Sequence, residues 1–318
     1  MSPVSRLLFT LLLACMWSPS FLFIKLAVHE IPPLTVVAVR VSLAALLLLV
    51  ILLATGNRFP KDSRFWLHTT FMAILSSVLP FFFFCYAEQS IDSALAALIN
   101  GASPTCTALI AHLLLPSDRI TVQKASGIAL STFGIVFLFA PALLTGLSGT
   151  TVGMLAAMGG TLSYGASHVY AKKFASGYPA LVAPTAQLLI SGALVLPFAL
   201  LIDQPYLLPM PSWSALLGVA GLTLMGTTLA FIVYYRLLEH AGATAISMVA
   251  CVFPITAMLL GFLFLGETFS ARGLVAALFI LLGMMFVNGI ITYDISTLWR
   301  SRRLGTPALE GSNAPSGE

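Results

Sequence analysis

The chain has 318 residues, of which 59% are hydrophobic and 8% are charged, and its formal net charge is +4. A soluble domain carries roughly 25% charged residues, so this composition excludes an ordinary soluble protein and indicates a protein that crosses a membrane several times. The net charge is too small to indicate a nucleic-acid partner, and we expect none.

Ten apolar segments follow one another along the chain. An α-helix rises about 1.5 Å per residue, so about 20 apolar residues cross a hydrocarbon core of about 30 Å. The predicted spans are residues 7–27, 34–54, 66–87, 94–115, 125–143, 152–171, 180–202, 213–235, 244–265 and 274–292. A basic start before an apolar segment also fits a signal peptide, but the first segment has a counterpart later in the chain, which favours a permanent span.

The fourth and ninth spans share an unusual design. Residues 94–115 contain no acidic residue, lysine or arginine, and Pro104 lies near their centre. Proline has no N–H, so it frees the carbonyl of Asn100, which in lipid needs a partner or a water-lined cavity. Residues 244–265 repeat the design with Pro254, at a shift of 150 residues. We therefore predict one kinked helix of this type in each half of the chain.

A nearly constant shift relates the two halves of the chain. At 147 residues it pairs Trp17 with Tyr164, Lys25 with Lys172, Pro32 with Pro179, Arg40 with Gln187 and Trp66 with Trp213. Apolar helices resemble each other by chance, but chance does not explain one shift that holds through Trp, Lys and Pro. We predict two five-helix repeats, residues 7–143 and 151–292. Residues 293–318 are polar and are predicted to form a disordered cytoplasmic tail.

The distribution of Lys and Arg predicts the orientation. With ten spans and the amino terminus inside, one set of flanks holds Arg6, Arg58, Lys61, Arg64, Arg119, Lys124, Lys172, Lys173, Arg236, Arg300, Arg302 and Arg303. The opposite flanks hold only Arg272. Cytoplasmic loops are rich in Lys and Arg, so both termini are predicted to be cytoplasmic. Five spans per half is an odd number, so the second half is inverted relative to the first, as in many secondary transporters.

Three sequence motifs resemble the EamA family of the drug/metabolite transporter superfamily. WSPSFLFIK (Trp17–Lys25) and IPPLTVVAVR (Ile31–Arg40) resemble the opening of that family, with a Trp, a Lys eight residues later and an Arg in the second helix. FLGET (Phe264–Thr268) is similar to the family's Gly-Glu at the end of the ninth helix. The resemblance covers about residues 7–292. It implies ten helices and the transport of small organic metabolites, often outward.

The sequence departs from the family pattern at two places. Ser18-Pro19 stands where the family usually has Gly-Ser after the Trp, which predicts a kink in the first helix. Ser117-Asp118 replaces Gly-Glu in the first half, so we expect that turn to be built differently.

Six polar or aromatic residues are the candidates for contact with a substrate. They are Arg40, Trp17, Tyr164, Gln187, Asn100 and Lys25. A basic group at the centre of a membrane helix costs about 2.5–3.5 kcal/mol, so Arg40 is expected to face a cavity or to bond the freed carbonyls of a neighbouring helix. Lys25 lies near the outer end of its span, where it reaches towards water, contributes to the site or has a structural role at the helix end.

The other four candidates also have two interpretations each. Trp17 and Tyr164 are paired by the repeat and either line the cavity or pack in the core. Asn100 and Gln187 are uncharged polar groups within spans, and each binds either the substrate or another helix.

Several chemistries have no support in the sequence. The four cysteines, Cys15, Cys85, Cys106 and Cys251, lie in apolar runs without metal-ligand spacing, so neither a metal site nor a cofactor is expected. The sequence has no phosphate-binding loop and no nucleophile with a base at a suitable spacing, so we do not expect an enzyme. No Asp or Glu lies deep within a predicted span, so a proton relay built on carboxylates is unsupported.

The sequence therefore predicts an all-α integral membrane protein that acts as a secondary transporter by alternating access. An amino acid or a related metabolite is the preferred substrate and efflux the preferred direction. The alternatives are a nucleotide-sugar-like or other anionic metabolite, an intramembrane enzyme acting on lipid, and a membrane partner that does not transport. The expected location is the bacterial inner membrane, where the protein would be a monomer or homodimer in contact with the lipid bilayer.

Overall fold

The computed structural model of the chain describes residues 3–115, 118–146, 148–174 and 181–291. These residues contain α-helices, π-helical turns and one 3₁₀ turn but no strand, so the all-α prediction is confirmed. The first half contains α1 (Pro3–Trp17), α2 (Ser20–Val28), α3 (Pro33–Ala54), α4 (Ser63–Ala73), α5 (Leu79–Ala87), α6 (Ser93–Asn100), α7 (Ser103–Leu114) and α8 (Val122–Thr145). The second half contains α9 (Gly149–Phe174), α10 (Val182–Phe198), α11 (Trp213–Thr223), α12 (Ala230–Leu265) and α13 (Ala271–Val287). The predicted tail lies outside the described residues.

Most of these helices combine into segments that have the length and hydropathy to cross a membrane. Among the described residues, seven segments meet both conditions: Leu8–Val28, Pro33–Ala54, Ser63–Ala87, Ser93–Leu114, Val122–Pro141, Val182–Asp203 and Trp213–Tyr234. Two shorter apolar helices, Val252–Leu265 and Ala271–Val287, follow them. Helix α9 lies where the sixth span was predicted and has 26 residues, but it is rich in glycine, serine and threonine. The protein is therefore an integral membrane protein that crosses the bilayer several times.

The helix ends follow from local sequence chemistry. Asp62 accepts a hydrogen bond from the Arg64 amide at 3.0 Å before α4, and Ser270 accepts one from the Gly273 amide at 3.0 Å before α13. These side chains satisfy amide groups that have no partner within the helix. Gly266 follows α12 with φ +65°, a left-handed conformation that glycine adopts without steric cost.

Two of the predicted kinks are present. The first span breaks between α1 and α2 at Ser18-Pro19, where the Ser18 hydroxyl donates to the Ala14 carbonyl at 2.6 Å. The fourth span breaks between α6 and α7 at residues 101–102, just before Pro104. Each break exposes backbone polar groups within the membrane, where they need partners other than water.

The region around the ninth span differs from the prediction. The expected loop between the eighth and ninth spans is absent, because residues 230–265 form the single helix α12. The helix also does not break at Pro254, since the proline lies inside α12. The connecting residues include Arg, Leu, Glu and Ala, which favour a helix, and no proline. Gly101-Ala102 lie three and two residues before Pro104, whereas Cys251-Val252 hold the equivalent positions before Pro254 and do not favour a turn.

Long helix pairs from the two halves hold the molecule together. The most extensive contacts are α8 with α13, α3 with α10, α1 with α12, α5 with α9, α2 with α11, and α7 with α9. The α8–α13 pair is especially close, because a Cβ on Gly127 would lie 2.6 Å from the carbonyl oxygen of Gly283. A large apolar core runs through both halves and includes Val41 and Leu48 of α3 and Leu188 of α10.

Candidate functional site

Arg40 is buried in α3 with only 5% of its surface exposed. Its Nε donates to the Thr227 hydroxyl at 2.8 Å, and its Nη2 donates to the Gly226 carbonyl at 3.4 Å. The guanidinium also lies over the Phe81 ring, 3.7 Å from its centroid. The charge is therefore held between the eighth span and the third span.

The partner of Arg40 is a π-helical turn, Leu224–Leu229, which joins α11 to α12. A π turn shifts the backbone hydrogen bonds by one residue, and such turns occur frequently at functional sites. Here the Thr227 hydroxyl donates to the Leu222 carbonyl and the Thr228 hydroxyl to the Thr223 carbonyl, both at 2.8 Å. The Thr227 oxygen thus donates to the backbone and accepts from Arg40.

Gln187 of α10 has an equivalent environment in the other half. Its Nε2 donates to the hydroxyls of Ser76 and Ser77, both at 2.8 Å. These serines belong to a second π-helical turn, Ile74–Val78, which joins α4 to α5. The residues that the repeat pairs, Arg40 and Gln187, therefore each bind a π turn of the opposite half.

The two π turns were not expected from the sequence. Their signal is the occurrence of small polar residues, Ser76-Ser77 and Gly226-Thr227-Thr228, in the middle of otherwise apolar spans. Such residues supply hydroxyls that satisfy the carbonyls released by the turn. In the turn Leu224–Leu229, the hydroxyls of Thr227 and Thr228 satisfy the Leu222 and Thr223 carbonyls in this way.

The structure separates the two predicted aromatic residues. Tyr164 of α9 stacks on Phe84, with centroids 6.0 Å apart, and lies within electrostatic range of Arg40. Trp17 instead packs on Tyr234 of α12, 5.6 Å between centroids, in a separate apolar cluster with Leu13. The structure therefore brings Tyr164 to the Arg40 region and does not bring Trp17 there.

Asn100 ends α6 beside the break in the fourth span. Its Oδ1 is buried and has no hydrogen-bond partner in the described part of the chain, and the same is true of the Ser103 and Thr105 hydroxyl oxygens. Buried polar atoms are nearly always hydrogen-bonded, so this break offers a place for a water molecule or a polar ligand group.

Lys25 caps the end of another helix. Its Nζ donates to the backbone carbonyls of Glu88 at 2.8 Å and Ile91 at 2.7 Å. Lys25 also lines a cavity of about 280 Å³ together with Asp92 and Glu267, among others. Lys25 thus bonds carbonyls at a helix end, one of the three roles considered from the sequence, and it also borders a cavity.

An ion-pair network lies at the opposite end of the molecule. Asp118 accepts from Lys124 Nζ at 2.7 Å and from Lys172 Nζ at 2.8 Å. These two ammonium groups lower the pKa of the Asp118 carboxyl to about 2. Lys172 is the residue that the repeat pairs with Lys25.

Comparisons with known proteins agree with this architecture. The model of the family described as the EamA-like transporter family matches the chain twice, over residues 4–140 and 151–289. A crystal structure of a protein that is 20% identical superposes with a TM-score of 0.63 and covers 91% of this chain and 99% of that one. At this identity the likeness shows the fold.

Similar proteins extend over most of the chain. The uncharacterized transporter YoaV of Bacillus subtilis is 23% identical over 86% of this chain and 92% of its own length. Protein PecM of Dickeya dadantii is 27% identical over 94% and 95%. The uncharacterized inner membrane transporter YedA of Escherichia coli K12 is 29% identical over 80% and 81%.

These names indicate a transporter rather than an enzyme. Together with the membrane-spanning helices and the buried arginine, the two matches to the family model show that the chain belongs to the EamA-like transporter family of the drug/metabolite transporters.

Proposed function

We propose that this membrane transporter moves an amino acid or a related small metabolite outward by alternating access. The observation that carries the proposal is the buried guanidinium of Arg40, held by the π turn of the opposite half. A charged group within a membrane helix is expensive, and it usually marks the pathway of a substrate.

The packing supports two structurally related halves of five helices each. Exchange of the two halves turns the α5–α9 contact into α2–α11, and the α7–α9 contact into α1–α12. The α3–α10 and α8–α13 contacts are each converted into themselves. In inverted-repeat transporters the substrate binds near mid-membrane, where the repeats meet. Arg40 and Gln187 belong to α3 and α10, a helix pair that the exchange converts into itself, and each binds a π turn of the opposite half.

The donor geometry of Arg40 favours a carboxylate. A guanidinium presents five N–H donors in a planar fork, and two of them account for the hydrogen bonds found in the described residues. The remaining donors match the two oxygens of a carboxylate. We assign the other half of an amino-acid substrate to unpaired buried acceptors such as Asn100 Oδ1, which suits an ammonium group.

A larger anion such as a nucleotide sugar is the weaker candidate. It would need several free cations near the site, and Lys25 already donates to two backbone carbonyls. We further propose that the protein resides in the bacterial inner membrane with both termini in the cytoplasm, as a monomer or homodimer.

A thermal-shift screen of the purified protein against a metabolite library led by amino acids tests the proposal. A ligand at 100 times its Kd stabilises the folded protein by about 2.7 kcal/mol. We expect amino acids with a free carboxylate to raise the Tm of the wild type and not that of Arg40→Ala, and transport in vesicles to be lost in this variant. The folded protein should persist, because the Thr227 hydroxyl remains bonded to the Leu222 carbonyl.

Gln187→Ala is the matched control. It removes the equivalent contact with a π turn without removing a charge, so it should lower the unliganded Tm and retain the shift caused by the ligand. The same ligand shift in Arg40→Ala and wild type would remove Arg40 from the site. If Arg40→Ala failed to fold while Gln187→Ala folded, Arg40 would instead be a structural residue.

A further inference from the structure

Glu88 is a buried acidic residue that has no role in the proposed site. It follows α5 directly, its surface is 1% exposed, and both carboxyl oxygens lack a hydrogen-bond partner in the described part of the chain. The sequence places Glu88 on a polar flank of the third span, so its burial is a finding of the structure. Burying an ionised carboxylate without a partner costs several kcal/mol, which favours the protonated form.

The titratable and charged groups around Glu88 come from several elements. Lys25 of α2, Cys85 of α5 and Glu267 after α12 interact electrostatically with the carboxyl. His29 and Glu30 after α2 and Asp92 before α6 line the cavity beside Lys25, and Arg40 of α3 and Tyr164 of α9 interact with Cys85. Of these, Lys25 and Glu267 act on the carboxyl most directly.

Neither of these two groups neutralises the Glu88 carboxylate in this conformation. Lys25 Nζ bonds the main-chain carbonyl of Glu88 at 2.8 Å, but the structure contains no salt bridge between Lys25 and the Glu88 carboxyl. Glu267 accepts from the amides of Ser93 at 2.8 Å and Ala94 at 3.0 Å, and its negative charge opposes ionisation of Glu88. Glu88 lies just beyond the membrane-spanning segment Ser63–Ala87, and burial raises the pKa of its carboxyl well above its usual range.

A cavity borders Lys25, the side chain that bonds the Glu88 backbone. Lys25 bonds the backbone of Glu88 and also lines the cavity of about 280 Å³ with Asp92 and Glu267. Lys25 is therefore the side chain that links the Glu88 backbone with this cavity.

We propose that Glu88 is a proton-binding site that exchanges a proton for substrate during transport. In the present conformation the carboxyl holds the proton. When the cavity beside Lys25 extends to Glu88, the O–H bond breaks, the proton passes to water, and the carboxylate pairs with the Lys25 ammonium. Because Lys25 then leaves the carbonyls at the α5–α6 turn, ionisation alters the contact of α2 with that turn. The inference rests on the proposed transport function, which it completes with a driving ion.

Infrared difference spectroscopy of the reconstituted protein after a pH jump tests proton binding without any substrate. We expect a protonated-carboxyl band that responds to pH in the wild type and is missing in Glu88→Gln. Glutamine has nearly the same shape as a protonated glutamate, so this variant should fold. Glu88→Asp keeps a carboxyl and should restore a band. The matched control is Glu30→Gln at the same end, since Glu30 is exposed and bonded to Ser212.

A flux experiment then tests coupling. Vesicles that contain a trapped pH dye receive an equimolar mixture of the twenty amino acids, and exchange of radiolabelled amino acids is measured in parallel. We expect Glu88→Gln to retain amino-acid exchange while its proton flux falls at least tenfold, whereas Glu30→Gln retains both. If the proton flux and the infrared band both persisted in Glu88→Gln, the inference about Glu88 would be wrong, and the proposed transport function would be unaffected. Absence of amino-acid exchange in the wild type would count against the proposed substrate, and the infrared band would still decide on Glu88.

Discussion

Arg40 and Gln187 show how two equivalent positions can take on different tasks. Each side chain donates a hydrogen bond of 2.8 Å to a hydroxyl in a π turn of the opposite half. Only Arg40 carries a charge, and its planar guanidinium has N–H donors beyond the two that bond the π turn. Gln187 can therefore serve as the structural counterpart, while Arg40 combines a structural contact with the ability to bind an anion.

Asp118 allows a prediction about pH at the level of one residue. Its bonds to Lys124 and Lys172 lower its pKa to about 2, whereas an unfolded Asp has a pKa of about 3.9. A lowered pKa contributes stability above the unfolded value, and this contribution is lost as the pH falls from about 4 to about 2. Because the lysines are 31% and 61% exposed, the contribution is about 1 kcal/mol or less.

We therefore expect Asp118→Asn to have a slightly lower Tm than wild type, by the same amount at every pH from 5 to 8. Thermal unfolding of the two proteins in detergent across this range checks it. A difference in Tm that changed between pH 6 and 8 would contradict the assignment. A pH dependence of transport in this range would then have to arise elsewhere, for example at Glu88.

At this scale the sequence indicated candidate residues for the site but not the surroundings of their side chains. It paired Arg40 with Gln187, but the π turns depend on hydrogen bonds five residues apart that periodicity does not reveal. It placed Glu88 in a loop, because a residue just beyond a span is normally exposed. The groups that interact with it are Lys25, 63 residues earlier, and Glu267. Local sequence does not reveal contacts between residues so far apart in the chain.

At the level of elements, glycine makes the α8–α13 contact possible. A Cβ on Gly283 would lie 2.5 Å from both the Gly127 carbonyl oxygen and the Ser131 amide nitrogen. These are backbone atoms, so the clash is relieved only if the helices move apart. Small residues at such contacts allow the close approach on which helix association in membranes depends.

We predict that Gly283→Ala destabilises the protein by about 1–3 kcal/mol, the usual range for overpacking. Gly273→Ala, in the first turn of α13, is the control, because a Cβ there meets only the Ser270 hydroxyl oxygen at 3.4 Å. Alanine is the better helix former by about 1 kcal/mol, so the control should be neutral or stabilised. Thermal unfolding of both variants in detergent measures this, and equal Tm values would refute the close contact.

Helix boundaries were the least predictable feature of the elements. The kinks at Pro19 and Pro104 were expected from proline chemistry and are present, while Pro254 lies inside α12 without a break. Proline weakens a helix by removing one hydrogen bond, but packing against neighbouring helices decides whether the helix ends. In α12 the chain continues from the eighth span into the ninth, and α1 packs along it.

The two ends of the whole molecule differ although the repeat relates them. At one end Lys172 and Asp118 form an ion pair at 2.8 Å. At the other end, their counterparts Lys25 and Glu267 bond backbone groups instead, and both line the cavity of about 280 Å³. An inverted-repeat transporter that is closed at one end and accessible at the other should show this asymmetry, which supports alternating access as the mechanism.

The orientation of the two halves gives the last prediction. Lys61 precedes α4 and Met210 precedes α11, so each lies between the second and third spans of its own half, and both are exposed. Parallel repeats would place these two loops on the same side of the membrane, whereas inverted repeats place them on opposite sides. The positive-inside rule puts Lys61 in the cytoplasm.

In a background without native cysteines, we expect Lys61→Cys to react with a membrane-impermeant maleimide only in inside-out vesicles and Met210→Cys only in intact cells. Because both positions are solvent-exposed loop residues, the substitutions should not affect folding. Labelling of both from one side would exclude the inverted architecture, and with it the alternating-access mechanism that depends on this symmetry.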